Sequence, residues 1–192
     1  MTALVKDDPT SMIHVGFWTY IMTDCILFGV LFATYAVLHD NTFGGPSAKD
    51  LFEAPFALAE TLVLLVSSFC CGLSEVGARE NNKKKVLFWL SITFLLGISF
   101  LVMEGMEFVK FVKMGASWER SGFLSAFFTL VGTHGCHISV GLLWMAVMMF
   151  QVVFKGFNMY TMRRLACLRL FWHFLDVVWI FIFTLVYMMG VI

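Results

Sequence analysis

The sequence predicts an all-α, polytopic membrane protein built as a bundle of five transmembrane helices. Hydrophobic residues make up 60% of the 192-residue chain and charged residues only 14%, whereas a soluble domain carries about 25% charged residues. The 22 phenylalanines and 13 methionines are more apolar bulk than a water-soluble core of this size can bury. Five stretches are apolar over the length of about 20 residues that a membrane-spanning helix requires.

The five predicted helices follow one another with short polar connections. They are predicted at about residues 15–38, 54–78, 86–108, 122–154 and 170–192. The fourth is longer than a span requires, so it must tilt or extend beyond the hydrocarbon. Backbone groups in the bilayer core must bond within the chain, which favours helices over open sheets. Because no repeat or long linker divides the chain, residues 1–192 are predicted to form one domain.

The distribution of basic residues predicts the orientation of the bundle. The N-terminus, the second loop and the fourth loop hold nine lysines and arginines, whereas the first and third loops hold four. Because positive loops stay in the cytoplasm, the N-terminus is predicted to be cytoplasmic and the C-terminus periplasmic. The net charge is zero, so no basic surface suggests a nucleic-acid partner.

Two acidic residues are predicted to lie well inside the membrane. An acidic side chain at a helix centre costs at least about 2.5 to 3.5 kcal/mol on insertion scales, so each needs a partner or a role. Asp24 lies about ten residues into the first predicted helix, beyond the reach of any basic residue on that helix. Three explanations are considered for Asp24, and equally for Glu60: polar packing between helices, a functional cleft, and proton handling.

Other charged residues lie near helix ends, where pairing with a neighbour is the simpler interpretation. Glu75 precedes Arg79 by four residues, which is the favourable order for a helical ion pair. Glu107 and Lys110 are predicted to form a similar interfacial pair. His173, Asp176 and Arg169 share a helix face, and they are predicted to neutralise one another near the cytoplasmic boundary.

His134 and His137 share a face of the fourth predicted helix and raise the possibility of a metal or haem. A di-iron bundle requires Glu-x-x-His motifs, and the sequence contains none. Two histidines on one helix cannot ligate opposite faces of one haem iron. The sequence therefore predicts no metal ligand, no haem ligand and no catalytic residue. The five cysteines are odd in number and are interpreted as small hydrophobic residues.

Several motifs resemble those of a known family, subunit III of the haem–copper terminal oxidases. The stretch "FWHFLDVVWIF" (171–181) resembles the family's last-helix signature W-H-F-x-D-x-V-W. The stretch "GTHGCHISVG" (132–141) resembles its G-x-H-G-x-H motif. Three further stretches, "YIMTDCILFG" (20–29), "FEAPFALAET" (52–61) and "LVMEGMEF" (101–108), are similar to other family segments and occur in the same order.

The resemblance implies a non-catalytic subunit of an oxidoreductase complex in the bacterial inner membrane, which reduces oxygen to water and pumps protons. Haems and copper are then expected in subunit I, and no cofactor is expected on this chain. Its implied partners are subunit I, the other subunits and membrane lipids, with a phospholipid bound in a cleft. Its implied role is assembly, stability and support of proton uptake. Five helices resemble the ubiquinol-oxidising form. A seven-helix cytochrome c oxidase subunit and a small membrane transporter are the alternatives.

The resemblance also assigns lipid-cleft or helix-contact roles to individual positions. These candidates are Asp24, Glu53, Glu60, Glu104, His134, His137, His173 and Asp176. Glu60 departs from the cytochrome c oxidase form, which tends to be neutral at that position.

Overall fold

A computed structural model describes residues 9–42 and 54–188, and it confirms five helices that are long and apolar enough to cross a membrane. The helices are α1 (Pro9–Leu38), α2 (Ala54–Arg79), α3 (Lys83–Lys113), α4 (Gly122–Lys155) and α5 (Met159–Ile182), and a π-helical segment (Phe183–Met188) continues α5. The described residues contain no β-strand. Glu53 lies outside the described residues.

The residues at the helix starts explain why three helices begin before the predicted apolar segments. α3 begins at Lys83 rather than at 86, and the Asn82 side chain accepts a hydrogen bond from the Lys85 amide at 3.3 Å. α5 begins at Met159 rather than at 170, directly after the capping residue Asn158. α1 begins at Pro9 rather than at 15, and proline is well tolerated in a first helical turn.

The early start of α5 changes the position within the helix of the motif that opens with Trp172 and His173. His173 lies 14 residues after Met159 and 15 residues before Met188. At a rise of 1.5 Å per residue, it is therefore near the midpoint of this helical segment. The hydropathy of the sequence did not predict the first turns of α5, because these turns contain Arg163, Arg164 and Arg169.

The central pair of the bundle is α4 and α5, and the other helices pack on it. α1 contacts both α4 and α5. α2 and α3 form an antiparallel hairpin, in which α2 packs against α5 and α3 against α4. The turn of the hairpin is short because Asn81 adopts a left-handed conformation with φ 56°, which asparagine tolerates better than most residues. α1 and the hairpin therefore cover different faces of the α4–α5 pair.

Two tryptophans of α5 hold the bundle together. The Trp172 ring is packed so closely on Gly97 of α3 and Gly141 of α4 that added Cβ atoms would lie 2.8 Å and 3.2 Å from it. Small residues of this kind let membrane helices approach closely. The Trp172 indole also donates to the Ser67 hydroxyl of α2 at 3.2 Å. One side chain of α5 thus contacts three other helices.

Trp179, two turns later, repeats this arrangement. Its indole donates to the Thr61 hydroxyl of α2 at 3.1 Å. Its ring meets Phe100 of α3 edge-on at a centroid distance of 4.6 Å and stacks on His134 of α4 at 5.4 Å. Both tryptophans are almost completely buried, so this face of α5 forms the core of the bundle.

Candidate functional site

A cluster of acidic and aromatic side chains occupies the interior between α2, α3, α4 and the end of α5. We call it the interior cluster, and its members are Glu60, Glu104, Glu107, His134 and Tyr187. Glu60 and His134 are each 0% exposed, and the other three are also buried. Burial of several polar groups at one site in a membrane protein marks a structural or functional contact.

Contacts within the interior cluster explain two features of the sequence. The Tyr187 hydroxyl donates to Glu107 Oε2 at 2.5 Å, so Glu107 turns inward, and its pairing with Lys110 stays a prediction. The Glu104 carboxylate lies directly on Gly135, where a Cβ would be 2.6 Å from Oε1. Only glycine fits there, which accounts for the second glycine of the G-x-H-G-x-H motif.

His134 is enclosed by aromatic rings rather than by ligands. The imidazole stacks on Trp179 and meets Phe100 edge-on, with ring planes at 88°. Among the described residues, no side chain or backbone group hydrogen-bonds to either of its nitrogens. Across the same part of the chain, no group of three His, Cys, Asp or Glu side chains could hold a metal ion.

Asp24 and His137 form a second polar contact, between α1 and α4. Asp24 Oδ2 lies 3.8 Å from His137 Nε2, which is an ion-pair distance but too long for a hydrogen bond. The opposite nitrogen of His137 bonds to the Thr133 carbonyl at 2.7 Å. His134 and His137 both touch Phe28, at ring centroid distances of 6.3 Å and 5.2 Å, yet their polar surroundings differ.

His173 and Asp176 line a groove between α2 and α5, which we call the Ser68 groove. It has a volume of about 340 Å³ and is lined by Leu65, Ser68, Phe69, Gly72, Leu73, His173 and Asp176. Ser68 Oγ and His173 Nδ1 are hydrogen-bonded at 2.7 Å. Asp176 is mostly buried, and its Oδ1 accepts no hydrogen bond from the described part of the chain.

Two members of the predicted trio of Arg169, His173 and Asp176 have partners on α2: Arg169 pairs with Glu75 and His173 bonds to Ser68. Arg169 Nη1 bonds to Glu75 Oε2 at 3.1 Å, and the predicted Glu75–Arg79 pair is confirmed at 2.7 Å. Glu75 therefore joins two arginines, one on its own helix and one on α5. The sequence did not predict the pair of Arg169 and Glu75, because the long Arg169 side chain reaches across to α2, which packs against α5.

Serine, histidine and aspartate in the Ser68 groove do not form the relay of a serine hydrolase. In such a relay the carboxylate bonds to one imidazole nitrogen and the serine to the other. Within residues 9–42 and 54–188, Ser68 bonds to His173 Nδ1 and no hydrogen bond joins His173 to Asp176. The arrangement can connect helices, but it does not orient a nucleophile.

A fourth polar feature, which we call the arginine groove, opens between α1, α4 and the start of α5. It has a volume of about 420 Å³. Its wall includes the aromatic residues Phe17, Tyr20 and Trp144, and its polar lining includes Arg163 and Arg164. Arg164 Nη1 donates to Gln151 Oε1 at 3.3 Å. An apolar wall beside two guanidinium groups is suited to a molecule with both acyl chains and a negative charge.

Glu107 was predicted only as an interfacial residue, and Ser68, Tyr187 and the two arginines of the arginine groove were not predicted as contributors to these sites. Glu107 shares a helix face with Glu104 at a spacing of three, and this spacing could have indicated that both acids turn inward. Ser68, Tyr187 and the arginine pair gave no such signal. Their roles depend on which helices are neighbours, and Tyr187 lies in the π-helical segment, where the register of the helix changes.

Comparison with known proteins identifies relatives over nearly the whole chain. A family model described as cytochrome c oxidase subunit III matches residues 8–191. Cytochrome bo(3) ubiquinol oxidase subunit 3 from Pseudomonas aeruginosa is 54% identical over 91% of this chain and 84% of its own length. The protein of the same name from Pseudomonas putida is 51% identical over 96% and 89%. Cytochrome c oxidase subunit 3 from Bacillus sp. (strain PS3) is 44% identical over 93% and 86%.

Proposed function

The chain belongs to the cytochrome c oxidase subunit III family, and we propose that it is subunit III of a cytochrome bo-type ubiquinol oxidase. Such a complex oxidises ubiquinol, reduces oxygen to water and pumps protons. The observation that carries the proposal is identity of 54% and 51% to two proteins named as this subunit, over most of both chains. The relative named as a cytochrome c oxidase subunit is less similar, at 44%.

We propose that the chain itself is not catalytic and acts by supporting subunit I, in which the haems and copper are expected. Its intramembrane polar groups support this role because they join helices. Glu75 links α2 to α5, Asp24 faces His137 across α1 and α4, and Tyr187 bonds to Glu107 of α3. A rigid neighbour of this kind fits a part in assembly, stability and proton uptake. A small transporter is less favoured, because the family match covers residues 8–191.

The proposed location is the bacterial inner membrane, where the whole chain forms one membrane domain with a cytoplasmic N-terminus. Five spans and relatives from bacterial oxidases support the location. The basic residues support the orientation. Lys83, Lys84 and Lys85 lie beside the α2–α3 turn, and Arg163 and Arg164 lie at the start of α5, which is the same side of the bundle.

Purification of the tagged chain from native membranes in a mild detergent tests the function. We expect a larger, haem-containing subunit to co-purify in equal amount, and the preparation to oxidise ubiquinol rather than reduced cytochrome c. A chain that purifies without any haem protein contradicts the proposal. A preparation that oxidises reduced cytochrome c but not ubiquinol favours the cytochrome c oxidase alternative.

We further propose that a phospholipid with an anionic phosphate binds in the arginine groove. Two arginines near a membrane surface attract an anionic headgroup with about 1 kcal/mol each, and the aromatic wall suits an acyl chain. The double variant Arg163→Gln, Arg164→Gln is therefore expected to lose roughly tenfold or more of its tightly bound anionic phospholipid. Mass spectrometry of the lipid extracted from purified protein measures the loss.

The matched control for the lipid experiment is Lys84→Gln, which removes an exposed positive charge at the α2–α3 turn. We expect this variant to retain the lipid of the unmodified protein. Equal lipid content in the double arginine variant and in the control argues against the arginine groove as the binding site.

A further inference from the structure

We propose that the interior cluster binds a proton, and that Glu60 carries this proton as a neutral carboxyl group. The site is formed by residues of this chain alone, from α2, α3, α4 and the π-helical segment that continues α5. It therefore goes beyond the proposed function, and it does not depend on which oxidase contains the chain.

Glu60 is buried without a hydrogen-bond partner. The residue is 0% exposed, and neither of its carboxyl oxygens receives a hydrogen bond from the residues that the structure describes. An ionised carboxylate has only acceptor atoms, and burying it without donors costs far more than burying a neutral polar group. The surroundings of Glu60 therefore favour the protonated form.

Two neighbouring acids strengthen this preference. Glu104 and Glu107 both lie close enough to Glu60 to act on it electrostatically, and Glu107 acts on Glu104 in the same way. Glu104 is 3% exposed, and its Oε2 also lacks a hydrogen-bond partner in the described part of the chain. Like charges at one buried site disfavour the ionised form of each other, so the three carboxyl groups cannot all be charged.

The imidazole of His134 does not offset the charge of these acids. It is 0% exposed, and neither nitrogen has a hydrogen-bond partner within residues 9–42 and 54–188. An imidazolium has two N–H donors, and both would be buried without an acceptor, so His134 is neutral. His137, one turn later on α4, faces Asp24 of α1. Lys110 follows Glu107 by three residues, but its side chain lies at the exposed surface.

The Tyr187 hydroxyl distinguishes Glu107 from Glu60. It donates to Glu107 Oε2 at 2.5 Å, a distance typical of a hydroxyl bonded to an ionised carboxylate. A donor of this kind favours the charged form of the acid that receives it. Glu107 is thus suited to hold a negative charge. Glu60 receives no such bond, so it is suited to hold the proton.

Carbon-13 NMR tests the protonation of Glu60 directly. The full chain is labelled at the side-chain carboxyl carbon of glutamate, of which the sequence holds only seven, and is studied in lipid nanodiscs at neutral pH. The chemical shift of this carbon differs between a carboxyl group and a carboxylate. We expect a signal at the protonated position that is lost in Glu60→Gln. Glu60→Asp also removes the labelled residue but keeps a carboxyl group, so it assigns the same signal if Glu60→Gln does not fold.

The matched controls are the same substitution at two other glutamates. Glu80 is exposed and pairs with Lys85 at 2.5 Å, so Glu80→Gln is expected to remove a signal at the carboxylate position. Glu107→Gln is expected to leave the Glu60 signal at the protonated position, because Glu60 stays buried without a donor.

The position of the Glu60 signal decides the outcome. A Glu60 signal at the carboxylate position overturns the inference. A protonated signal that is lost in Glu107→Gln and kept in Glu60→Gln also overturns it, because Glu107 would then carry the proton. Neither result bears on the proposed function, which fails instead if the unmodified chain purifies from native membranes without a haem protein.

Discussion

Gly97→Leu is expected to prevent α5 from packing against α3 and α4. Even a Cβ at position 97 would lie 2.8 Å from Leu142 and 2.8 Å from the Trp172 ring, and three further carbons have no space. Overpacking of a close-packed interior costs about 1–3 kcal/mol and sometimes more. Trp172 cannot move aside freely, because its indole is bonded to Ser67 on α2. Displacement of this ring therefore disturbs contacts with three helices at once.

The reactivity of buried thiols measures the effect of Gly97→Leu. Cys70, Cys71 and Cys167 are buried, so a fluorescent thiol reagent reports unfolding as the temperature is raised. Gly105→Leu is the matched control, because it changes the same residue type on the same helix at a position where the added Cβ meets no atom within 4 Å. Equal melting temperatures for the two variants would contradict the packing that we describe.

Trp179→Ala is expected to cause the other large loss of stability, of about 3 kcal/mol or more. Truncation of a large buried aromatic residue typically costs about 3–5 kcal/mol in soluble proteins. The transfer contribution is smaller in a membrane, but the loss of packing remains. The variant loses the edge-on contact with Phe100, the stacking on His134 and the hydrogen bond to Thr61.

The control for Trp179→Ala is Trp18→Ala on α1, where the tryptophan is 50% exposed. The same thiol assay is applied to both variants, and Trp18→Ala is expected to melt close to the unmodified protein. A second measurement follows the retention of the subunit in the complex during detergent purification. If Trp18→Ala loses as much stability as Trp179→Ala, the contacts of Trp179 do not stabilise the bundle more than those of an exposed tryptophan.

The number and type of helices could be predicted because the membrane leaves a long apolar segment few alternatives. Their ends could not, since hydropathy does not register a helix that begins with charged residues. Asn82 before α3 and Asn158 before α5 are the signals that were available, because asparagine is a favoured N-cap. The late predicted start of α5 also placed His173 too close to the beginning of its helix.

The sequence could predict which polar residues lie inside the bundle, but not which residues they contact. Polar side chains in a membrane are costly unless they have a partner or a role, and this argument selected four residues that the structure buries: Asp24, Glu60, Glu104 and His134. The pairing of Glu75 with Arg169 and of Ser68 with His173 joins residues that are 94 and 105 positions apart. Such pairs depend on which helices are neighbours, which hydropathy of one chain does not reveal.

The two tryptophan contacts have a consequence for the order in which the chain is made. α5 leaves the ribosome after α2, α3 and α4, so these three helices enter the membrane before Trp172 and Trp179 exist to join them. The two hydroxyls that later accept hydrogen bonds from the indoles already have acceptors for their own hydrogens. Thr61 donates to the Ala57 carbonyl within α2, and Ser67 donates to the Thr93 carbonyl of α3. Each hydroxyl oxygen keeps its lone pairs free for a later donor. These helices can thus be synthesised as a loose set of stable segments and fixed in their final packing by α5.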